Sequence, residues 1–317
     1  MKGLASLSVD LDSLAHYHAI HALPPPPGQD PVHGRALERF GELCARLGIR
    51  GTAFAVGARL ADPEAAAGVA ALARAGHEVG NHSFSHDYAL TRRHDVAVAE
   101  EVRRGGEAVE RVTGRRPAGF RAPGYTLSSS LLRALVAQEY RYDSSTFPAL
   151  PYWLAKGAVM AALALSGRPS GAILDRPRVL TAPRRPYRPD ASEPYAMGDL
   201  PLLELPITTG LGGFPLIGTF LATLPGMLAR ALATGTGSLP LFNLELHAID
   251  LLDASDASEA LAARQPDLRV PAAEKIARLA AFVRSLDREW VPLEEAAARL
   301  GAPDTGSDTG SARPAGA

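Results

Sequence analysis

Short apolar segments alternate with longer amphipathic segments through the first half of the chain. Leu4 to Val9 and Gly51 to Val56 have the apolar character of buried strands, and Gly34 to Leu47 between them has the periodicity of a helix. Pro63 to Ala75 is predicted as a second helix, because Asp62 can cap it and a proline occupies its first position. Strands that alternate with helices in this way indicate a parallel α/β sheet.

The same alternation continues toward the C-terminus with one interruption. We predict further strands at residues 77–80, 119–121, 140–142, 200–207 and 240–246, further helices at 95–112, 128–138 and 271–286, and a final strand and helix within 290–300. Residues 147–200 are rich in Pro and Arg and are expected to form an irregular insertion, and an apolar, helix-like segment near 211–233 follows it. We expect one domain over residues 1–301. The tail, 302–317, has no apolar period and is expected to be disordered.

Ionisable side chains stand at the end of nearly every predicted strand. They are Asp10 and Asp12, His82 and His86, Arg121, Asp143, and His247. The carboxyl ends of the strands in a parallel α/β fold gather at one mouth, so these side chains are predicted to lie close together there. Solvation of a surface does not readily explain the same arrangement at five strands.

Part of this set has the composition of a divalent-metal site. His82 and His86 are four residues apart, which lets both imidazoles face one way on a helical turn. Asp12 is the expected carboxylate ligand, and Asp10, which would share its face on an ideal strand, could accept a proton. Two imidazoles and a carboxylate favour zinc, although Co²⁺, Mn²⁺ or Fe²⁺ fit the same ligands. Capping or core histidines are the alternative explanation for the histidine pair alone.

The bulk composition excludes several classes of protein. The 317 residues carry a formal net charge of −1 at pH 7, so the charge balance gives no indication of a nucleic-acid partner. The single cysteine, Cys44, excludes a disulfide framework and favours a cytosolic compartment. A strand-like segment begins almost at Met1, so we expect no signal peptide and a cytoplasmic location.

Five sequence motifs together resemble a known family. VDLDS, GHEVGNHSFSH, FRAPGY, YDSS and LELH occur in this order within residues 9–247, and the set resembles the polysaccharide deacetylases of the NodB-homology type, carbohydrate esterase family 4. The resemblance implies an α/β fold with a distorted (β/α)7-type barrel. It also implies a hydrolase with one divalent metal ion as cofactor, which removes an N-acetyl or N-formyl group from an amino sugar.

The resemblance assigns roles to the residues that match its first three motifs. Asp10 matches the general base, and Arg121 matches the arginine that pairs with this base. Asp12, His82 and His86 match the metal ligands. The family's opening motif commonly has two adjacent aspartates, whereas this chain has a leucine between them. The roles of general base and metal ligand could therefore be exchanged between Asp10 and Asp12.

The remaining roles concern the leaving group and the oxyanion. Asp143 matches the aspartate that orients a general-acid histidine, and His247 matches that histidine. The backbone N–H of Gly124 or Tyr125 is expected to contribute to the oxyanion hole. Both N–H groups are candidates, because the usual order in the third motif is the aromatic residue first and glycine second, and this chain has the reverse order.

Two apolar segments, 153–166 and 211–233, lie between the fourth and fifth motifs and bear on the substrate. An apolar lip at this place would suit a polyprenyl-linked sugar and a peripheral contact with the inner face of the membrane. The arrangement is similar to that in deformylases of lipid-linked aminoarabinose. A dimer interface or ordinary core is an equal alternative, and Pro215, Pro225 and Arg230 argue against a membrane-spanning helix in the second segment.

Two other functions share these sequence features. One keeps the fold but makes the substrate a non-sugar amide or ureide, as in allantoinase-like members of the superfamily. The other is a domain that binds glycolipid without turnover, which the full set of acid, base and metal-ligand residues disfavours. A second group of histidines, His16, His18, His21 and His33, has no standard ligand spacing and is expected to line the rim of the pocket.

Overall fold

The computed structural model describes residues 2–26, 28–165, 167 and 173–302. Eight parallel strands form one curled sheet in this part of the chain: β1 (Leu4–Asp10), β2 (Thr52–Ala55), β3 (Glu78–Asn81), β4 (Gly119–Phe120), β5 (Tyr142–Asp143), β6 (Leu203–Glu204), β7 (Leu241–His247) and β8 (Glu289–Trp290). The strand order is β6-β5-β4-β3-β2-β1-β7, and β8 pairs with the start of β1. The sheet is a curled half-barrel with helices, which confirms the predicted (β/α)7-type fold class. From residue 303 onward, the tail expected to be disordered lies outside the described residues.

The helices of the described chain follow the strands in the predicted alternation. They are α1 (Leu14–Ile20), α2 (Leu37–Leu47), α3 (Pro63–Arg74), α4 (Asp95–Thr113), α5 (Ser129–Ala137), α6 (Leu150–Leu165), α7 (Gly218–Thr223), α8 (Gly226–Leu232), α9 (Glu259–Ala262), α10 (Ala272–Ser285) and α11 (Leu293–Gly301). The ends of α3, α4 and α10 fall within one residue of the predicted ones. The Asp62 carboxylate accepts hydrogen bonds from the Glu64 and Ala65 N–H groups, so the predicted N-cap of α3 is confirmed.

Three elements differ from the sequence-based prediction. Helix α1, directly after the first strand, was not predicted. Helix α6 occupies 16 residues of the segment that was expected to be irregular, because its run of Ala, Leu and Met favours helix although Pro and Arg dominate the segment around it. The predicted strand at 200–207 is only two residues long, Leu203–Glu204.

The apolar segment near 211–233 forms two short helices, α7 and α8. They are separated at Leu224 and Pro225, where the proline ends helical hydrogen bonding. Among the described residues, no helix combines the length and apolarity that crossing a bilayer requires.

Strand β1 pairs with three other strands, β2, β7 and β8, and all seven of its residues are buried. Ala5, Leu7 and Val9 pack in the largest hydrophobic cluster, between the sheet and its surrounding helices. Alternate residues face the other way. On that face Ser8 and Asp10 both contact the Arg121 guanidinium inside the half-barrel. The buried strand therefore has an apolar face that stabilises the fold and a polar face that leads to the mouth of the sheet.

A buried carboxyl group lies at the opposite end of the sheet, at the start of β3. Glu78 accepts hydrogen bonds from the Thr52 hydroxyl at 2.8 Å, the Tyr142 hydroxyl at 2.7 Å and the Glu294 N–H at 2.8 Å. Burial, with a smaller contribution from the Glu294 carboxylate, raises the pKa of Glu78 to about 7. The contacts join β2, β3, β5 and α11, so this group connects both ends of the chain at the base of the sheet.

The raised pKa of Glu78 predicts a pH-dependent contribution to stability. The protonated form is favoured in the folded state, so the contribution is complete below the unfolded value of about 4.5 and is lost as pH rises through 7. We expect the free energy of unfolding of the parent protein to fall, relative to that of Glu78→Gln, by about 3 kcal/mol between pH 4.5 and pH 8. Denaturant titrations of both proteins across this range measure the difference.

Glu110→Gln is the control for this measurement, because Glu110 is exposed on α4. Its unfolding free energy should follow that of the parent protein at every pH. Parallel curves for the parent protein and Glu78→Gln would contradict the assignment.

Candidate active site

Three predicted metal ligands converge at the carboxyl ends of β1 and β3. The Asp12 Oδ1 atom lies 3.1 Å from His82 Nε2 and 3.0 Å from His86 Nε2. All three side chains are buried, and one ligand atom from each lies within 4.8 Å of the others. Burial alone would raise the pKa of Asp12, but the two histidines hold it well below its usual range. The carboxylate is therefore ionised, as a metal ligand must be.

The surroundings of these ligands fit a bound cation. The His82 Nδ1 atom lies 2.7 Å from the Arg121 carbonyl and donates to it, which leaves Nε2 directed at Asp12. Asp10 Oδ2 is buried without a hydrogen-bond partner among the described residues, and the contact of His86 Nε2 with Asp12 Oδ1 does not have hydrogen-bond geometry. Buried polar atoms without partners are costly, and a divalent ion among them would satisfy them. Two imidazoles and one carboxylate form a donor set that can hold a divalent metal ion.

The backbone is strained where it carries the site. Ser83, His86 and Tyr125 are non-glycine residues with φ of 62°, 57° and 60°, in the left-handed region. Only two other non-glycine residues of the described chain, Ala22 and Glu139, have positive φ. Such strain is retained where the surrounding structure requires it, commonly at functional sites.

The predicted base and its arginine form a fully buried ion pair. Arg121 Nη1 lies 2.7 Å from Asp10 Oδ1 and 3.0 Å from the Ser8 hydroxyl. The other guanidinium nitrogens donate to the Ser144 carbonyl and hydroxyl, each at 2.9 Å, and the group stacks on the Phe54 ring. The predicted pairing of Arg121 with Asp10 is confirmed, and it leaves Asp10 Oδ2 available 3.8 Å from His82 Nε2.

The structure corrects the predicted partner of His247. His247 Nδ1 lies 3.0 Å from Glu245 Oε1, whereas the side chain of Asp143 contacts Ser145 and Glu204. The reason is strand geometry, because Glu245 and His247 are two residues apart on β7 and share one face. Asp143 is on β5, in register with Glu204 on β6. The LELH motif contained this signal, but the prediction overlooked it.

Asp143 instead pairs with the buried Glu204, and this acidic pair contacts the backbone next to Arg121 through Ser145. Burial, together with the Asp143 charge, raises the pKa of Glu204 well above its usual value, so Glu204 carries a proton that it shares with Asp143. Asp143 also accepts from the Ser145 hydroxyl, whose oxygen in turn accepts the Ala122 N–H. The pair thereby fixes the backbone beside Arg121 and has no direct contact with His247 among the described residues.

The local charges keep His247 protonated at neutral pH. Burial lowers its pKa, but the carboxylates of Glu245, Asp12, Asp10 and Asp250 outweigh this and raise it to about 9. His247 Nε2 points toward the ligand set, 4.0 Å from Asp12 Oδ2 and 3.2 Å from the Tyr125 hydroxyl. The imidazolium therefore presents an N–H beside the convergent ligands.

The two candidate oxyanion donors differ in availability. The Tyr125 N–H donates to the Ala122 carbonyl at 3.1 Å, in a tight turn. The Gly124 N–H has no acceptor among the described residues, and Gly124 has φ of 69°, which only glycine adopts readily. Gly124 is therefore the available N–H donor of the two, and Tyr125 contributes its hydroxyl to His247.

Helix α1 adds residues that the sequence analysis placed only at the rim. The His16 ring stacks on His86 at 4.1 Å between centroids, and the Tyr17 ring packs edge-on against His247. Burial lowers the pKa of His16 to about 3, so it packs against the ligand as a neutral ring. His18 and His21 contact Ser258 and Gln265 instead. No second group made of these histidines converges among the described residues.

A cavity of about 360 Å³ opens over the convergent side chains. Tyr17, Tyr88, Tyr125 and Tyr152 contribute aromatic walls, and Asp10, Asp12, His82 and His247 line the deep end. Ile20, Ala155, Val159, Met160, Ile217, Phe220 and Ile249 make one side apolar. Helix α6 thus supplies part of the wall of the site.

The convergence of Asp12, His82 and His86 predicts a single metal site that depends on Asp12. We expect Asp12→Ala to weaken zinc binding by at least about 100-fold, because it removes the only carboxylate among the three ligands. Metal content after dialysis and a competitive chelator titration measure this. His21→Gln, which alters a histidine outside the group, should bind zinc as the parent protein does. Unchanged zinc affinity in Asp12→Ala would contradict the site.

The contact between Glu245 and His247 predicts which carboxylate controls the histidine. In metal-free Glu245→Gln, the pKa of His247 should fall below the parent value of about 9, because the nearest negative charge is lost. In Asp143→Asn it should stay close to the parent value. Imidazole resonances followed by NMR across pH distinguish the two, and the reverse pattern would restore Asp143 as the partner.

Comparisons with known proteins agree with this architecture. Residues 33–142 match the family model described as polysaccharide deacetylase, a segment that contains His82, His86 and Arg121 but neither Asp12 nor His247. Comparison with curated protein sequences finds no match.

Solved structures share the fold at low sequence identity. A Mycobacterium smegmatis protein provisionally described as a polysaccharide deacetylase superposes with a TM-score of 0.58 at 18% identity, over 95% of this chain and 91% of its own. A CE4 family pseudoenzyme from Bacillus anthracis has a TM-score of 0.50 at 10% identity, over 93% of this chain and 66% of its own. A family 4 acetyl xylan esterase from Clostridium thermocellum, in complex with a cobalt ion, has a TM-score of 0.47 at 16% identity, over 95% of this chain and 93% of its own. This chain therefore has the NodB-type (β/α)7 fold, and its residues 33–142 carry the polysaccharide deacetylase family match.

Proposed function

We propose that this protein is a metal-dependent hydrolase that removes an N-acetyl or N-formyl group from an amino sugar. The observation that carries the proposal is the convergence of Asp12, His82 and His86 beside Asp10 and His247. A domain that only binds glycolipid has no need of a carboxylate base and a protonated histidine next to a metal-ligand set. The match of residues 33–142 to the polysaccharide deacetylase family supports the same reaction class.

The residues divide the chemistry of amide hydrolysis among themselves. Asp12, His82 and His86 would hold one divalent ion, for which zinc is our proposal, and its contribution when bound is Lewis-acid polarisation of the amide carbonyl. Asp10, oriented by Arg121, accepts the proton of the attacking water. The Gly124 N–H is placed to stabilise the oxyanion.

The protonated His247 completes the reaction at the leaving group. Its Nε2–H faces the ligand set, and Glu245 on the Nδ1 side keeps the ring charged and oriented. Donation of this proton to the departing amine makes the amine a neutral leaving group. Substitution of Asp10 or His247 should each lower turnover by about 10²–10⁴-fold.

We further propose that the amino sugar is attached to a polyprenyl chain. Leu154, Val159 and Leu165 on α6 are 55%, 54% and 91% exposed, and α6 has no buried residue although it is strongly apolar. The same helix contributes Ala155, Val159 and Met160 to the cavity, so the apolar surface is continuous from the catalytic end to the outside. Such a surface suits a lipid chain and a membrane surface. The cytoplasmic location and contact with the inner face of the membrane stay predictions.

A substrate panel tests the proposed reaction. Zinc-loaded protein should release acetate or formate from N-acyl amino sugars, and more efficiently from polyprenyl-linked forms than from free sugars. A cyclic ureide should not be hydrolysed, because it carries no N-acyl amino sugar. Asp12→Ala should be inactive. Turnover of the ureide alone would favour the non-sugar amide alternative, and binding without turnover would favour the glycolipid-binding alternative.

The lipid preference has its own variant and control in the same panel. Leu154→Gln should raise KM for the polyprenyl-linked substrate and leave the free sugar unaffected, because Leu154 is exposed on the proposed lipid surface. Val96→Gln changes another exposed apolar residue, which is on α4 and does not line the cavity, and should alter KM for neither substrate. Equal KM values for linked and free sugars in the parent protein would refute the lipid proposal.

A further inference from the structure

Helix α6 brings one positive charge into the otherwise apolar side of the cavity. Lys156 is the only lysine or arginine among the described residues that line it. The side chain is half-buried, and its neighbours on the helix, Ala155 and Val159, are apolar. Its Nζ lies 3.1 Å from the Gly124 carbonyl, so the charge is held directly beside the residue whose N–H is the oxyanion donor.

The hydrogen-bonding capacity of this ammonium group is incompletely used. An ammonium has three N–H donors, and the Gly124 carbonyl accounts for one. Among the described residues, no carboxylate lies within 4.0 Å of Lys156 Nζ, and the Tyr152 ring is 5.9 Å away. A charge in an apolar setting is stabilised when an opposite charge pairs with it. Burial lowers the pKa of Lys156 to about 8, opposed by the more distant Asp175, so the group is still mainly cationic at neutral pH.

We propose that Lys156 is the binding site for an anionic oxygen group of the substrate, a phosphate or a carboxylate, carried next to the acylated nitrogen. The inference rests on the proposed function and adds the charge of the substrate to it. The cationic side chains at the deep end already have carboxylate partners, Arg121 with Asp10 and His247 with Glu245, whereas Lys156 has none among the described residues, so a substrate anion needs a cation at the wall to pair with. Lys156 provides that cation on the α6 side, where the apolar surface begins.

A second role for Lys156 makes a different prediction. If the side chain only braces the left-handed Gly124, its removal disturbs the oxyanion donor and lowers kcat for every substrate alike. An anion site instead changes KM, and only for substrates that carry the anion. Matched charged and neutral substrates therefore separate the two roles.

The kinetic test compares an N-acyl amino sugar 1-phosphate, the corresponding carboxylate-bearing sugar and the neutral methyl glycoside. Lys156→Met should raise KM for one or both anionic substrates by about 10–100-fold and change the neutral one less than about twofold. Lys156→Arg should recover part of the loss. Whether phosphate or carboxylate responds identifies the source of the anion. An equal fall in kcat for all three, or no change in any, overturns the proposal.

A binding test keeps the inference separate from the proposed reaction. The chain has three lysines, Lys2, Lys156 and Lys275, so reductive ¹³C-methylation gives an NMR spectrum that can be assigned with single variants. Inorganic phosphate and acetate should shift the Lys156 signal and raise its apparent pKa, and should leave the exposed Lys2 unchanged. If none of the three sugars is turned over but the Lys156 signal responds to phosphate or acetate, the proposed reaction is wrong and the anion site stands. If turnover occurs without a KM difference and the signal is silent, the anion site is wrong.

Discussion

The buried guanidinium of Arg121 is the interaction on which the site depends. It joins β4 to β1 through Asp10, and its own carbonyl orients His82, so one residue fixes both the proton acceptor and a metal ligand. Removing an arginine and an aspartate from water costs several kcal/mol each, and such a pair is tolerable only when further hydrogen bonds compensate for the lost water. Ser8 and Ser144 accept three further hydrogen bonds from the guanidinium, and the Phe54 ring covers one face. The pair makes the geometry specific, although a hydrophobic pair of similar volume could make the fold as stable.

The sequence was sufficient to predict which side chains converge at the mouth of the sheet, because their positions follow from strand periodicity. Asp12, His82 and His86 meet as the parallel-sheet argument required, and the order of strands and helices was correct through most of the chain. Two further features could have been predicted from the sequence but were not. Glu245 stands two residues before His247, a spacing that places both on one face of β7, and the run of Ala, Leu and Met in α6 favours a helix.

Other features depend on contacts that no local pattern encodes. The left-handed conformations of Ser83, His86 and Tyr125 are imposed by their surroundings, because these residue types do not prefer them. Asp143 is separated from His247 because β5 pairs with β6, which places Asp143 beside Glu204. The register of that pairing is set only in the folded sheet. The stacking of His16 on His86 requires a helix whose seven residues are too few to be stable alone.

The pairing of β8 with the start of β1 has a consequence for how the chain folds. Leu4 and Glu289, 285 positions apart, are register partners at the start of β1. Contacts of such separation form late, since the entropy of closing so long a loop must be overcome before the contact stabilises anything. During synthesis the strand that bears Asp10 therefore lacks one of its neighbours until β8, 285 positions later, has been made. A nascent chain would expose an incomplete sheet edge through that interval, which is the condition under which chaperone binding and misassociation compete with folding.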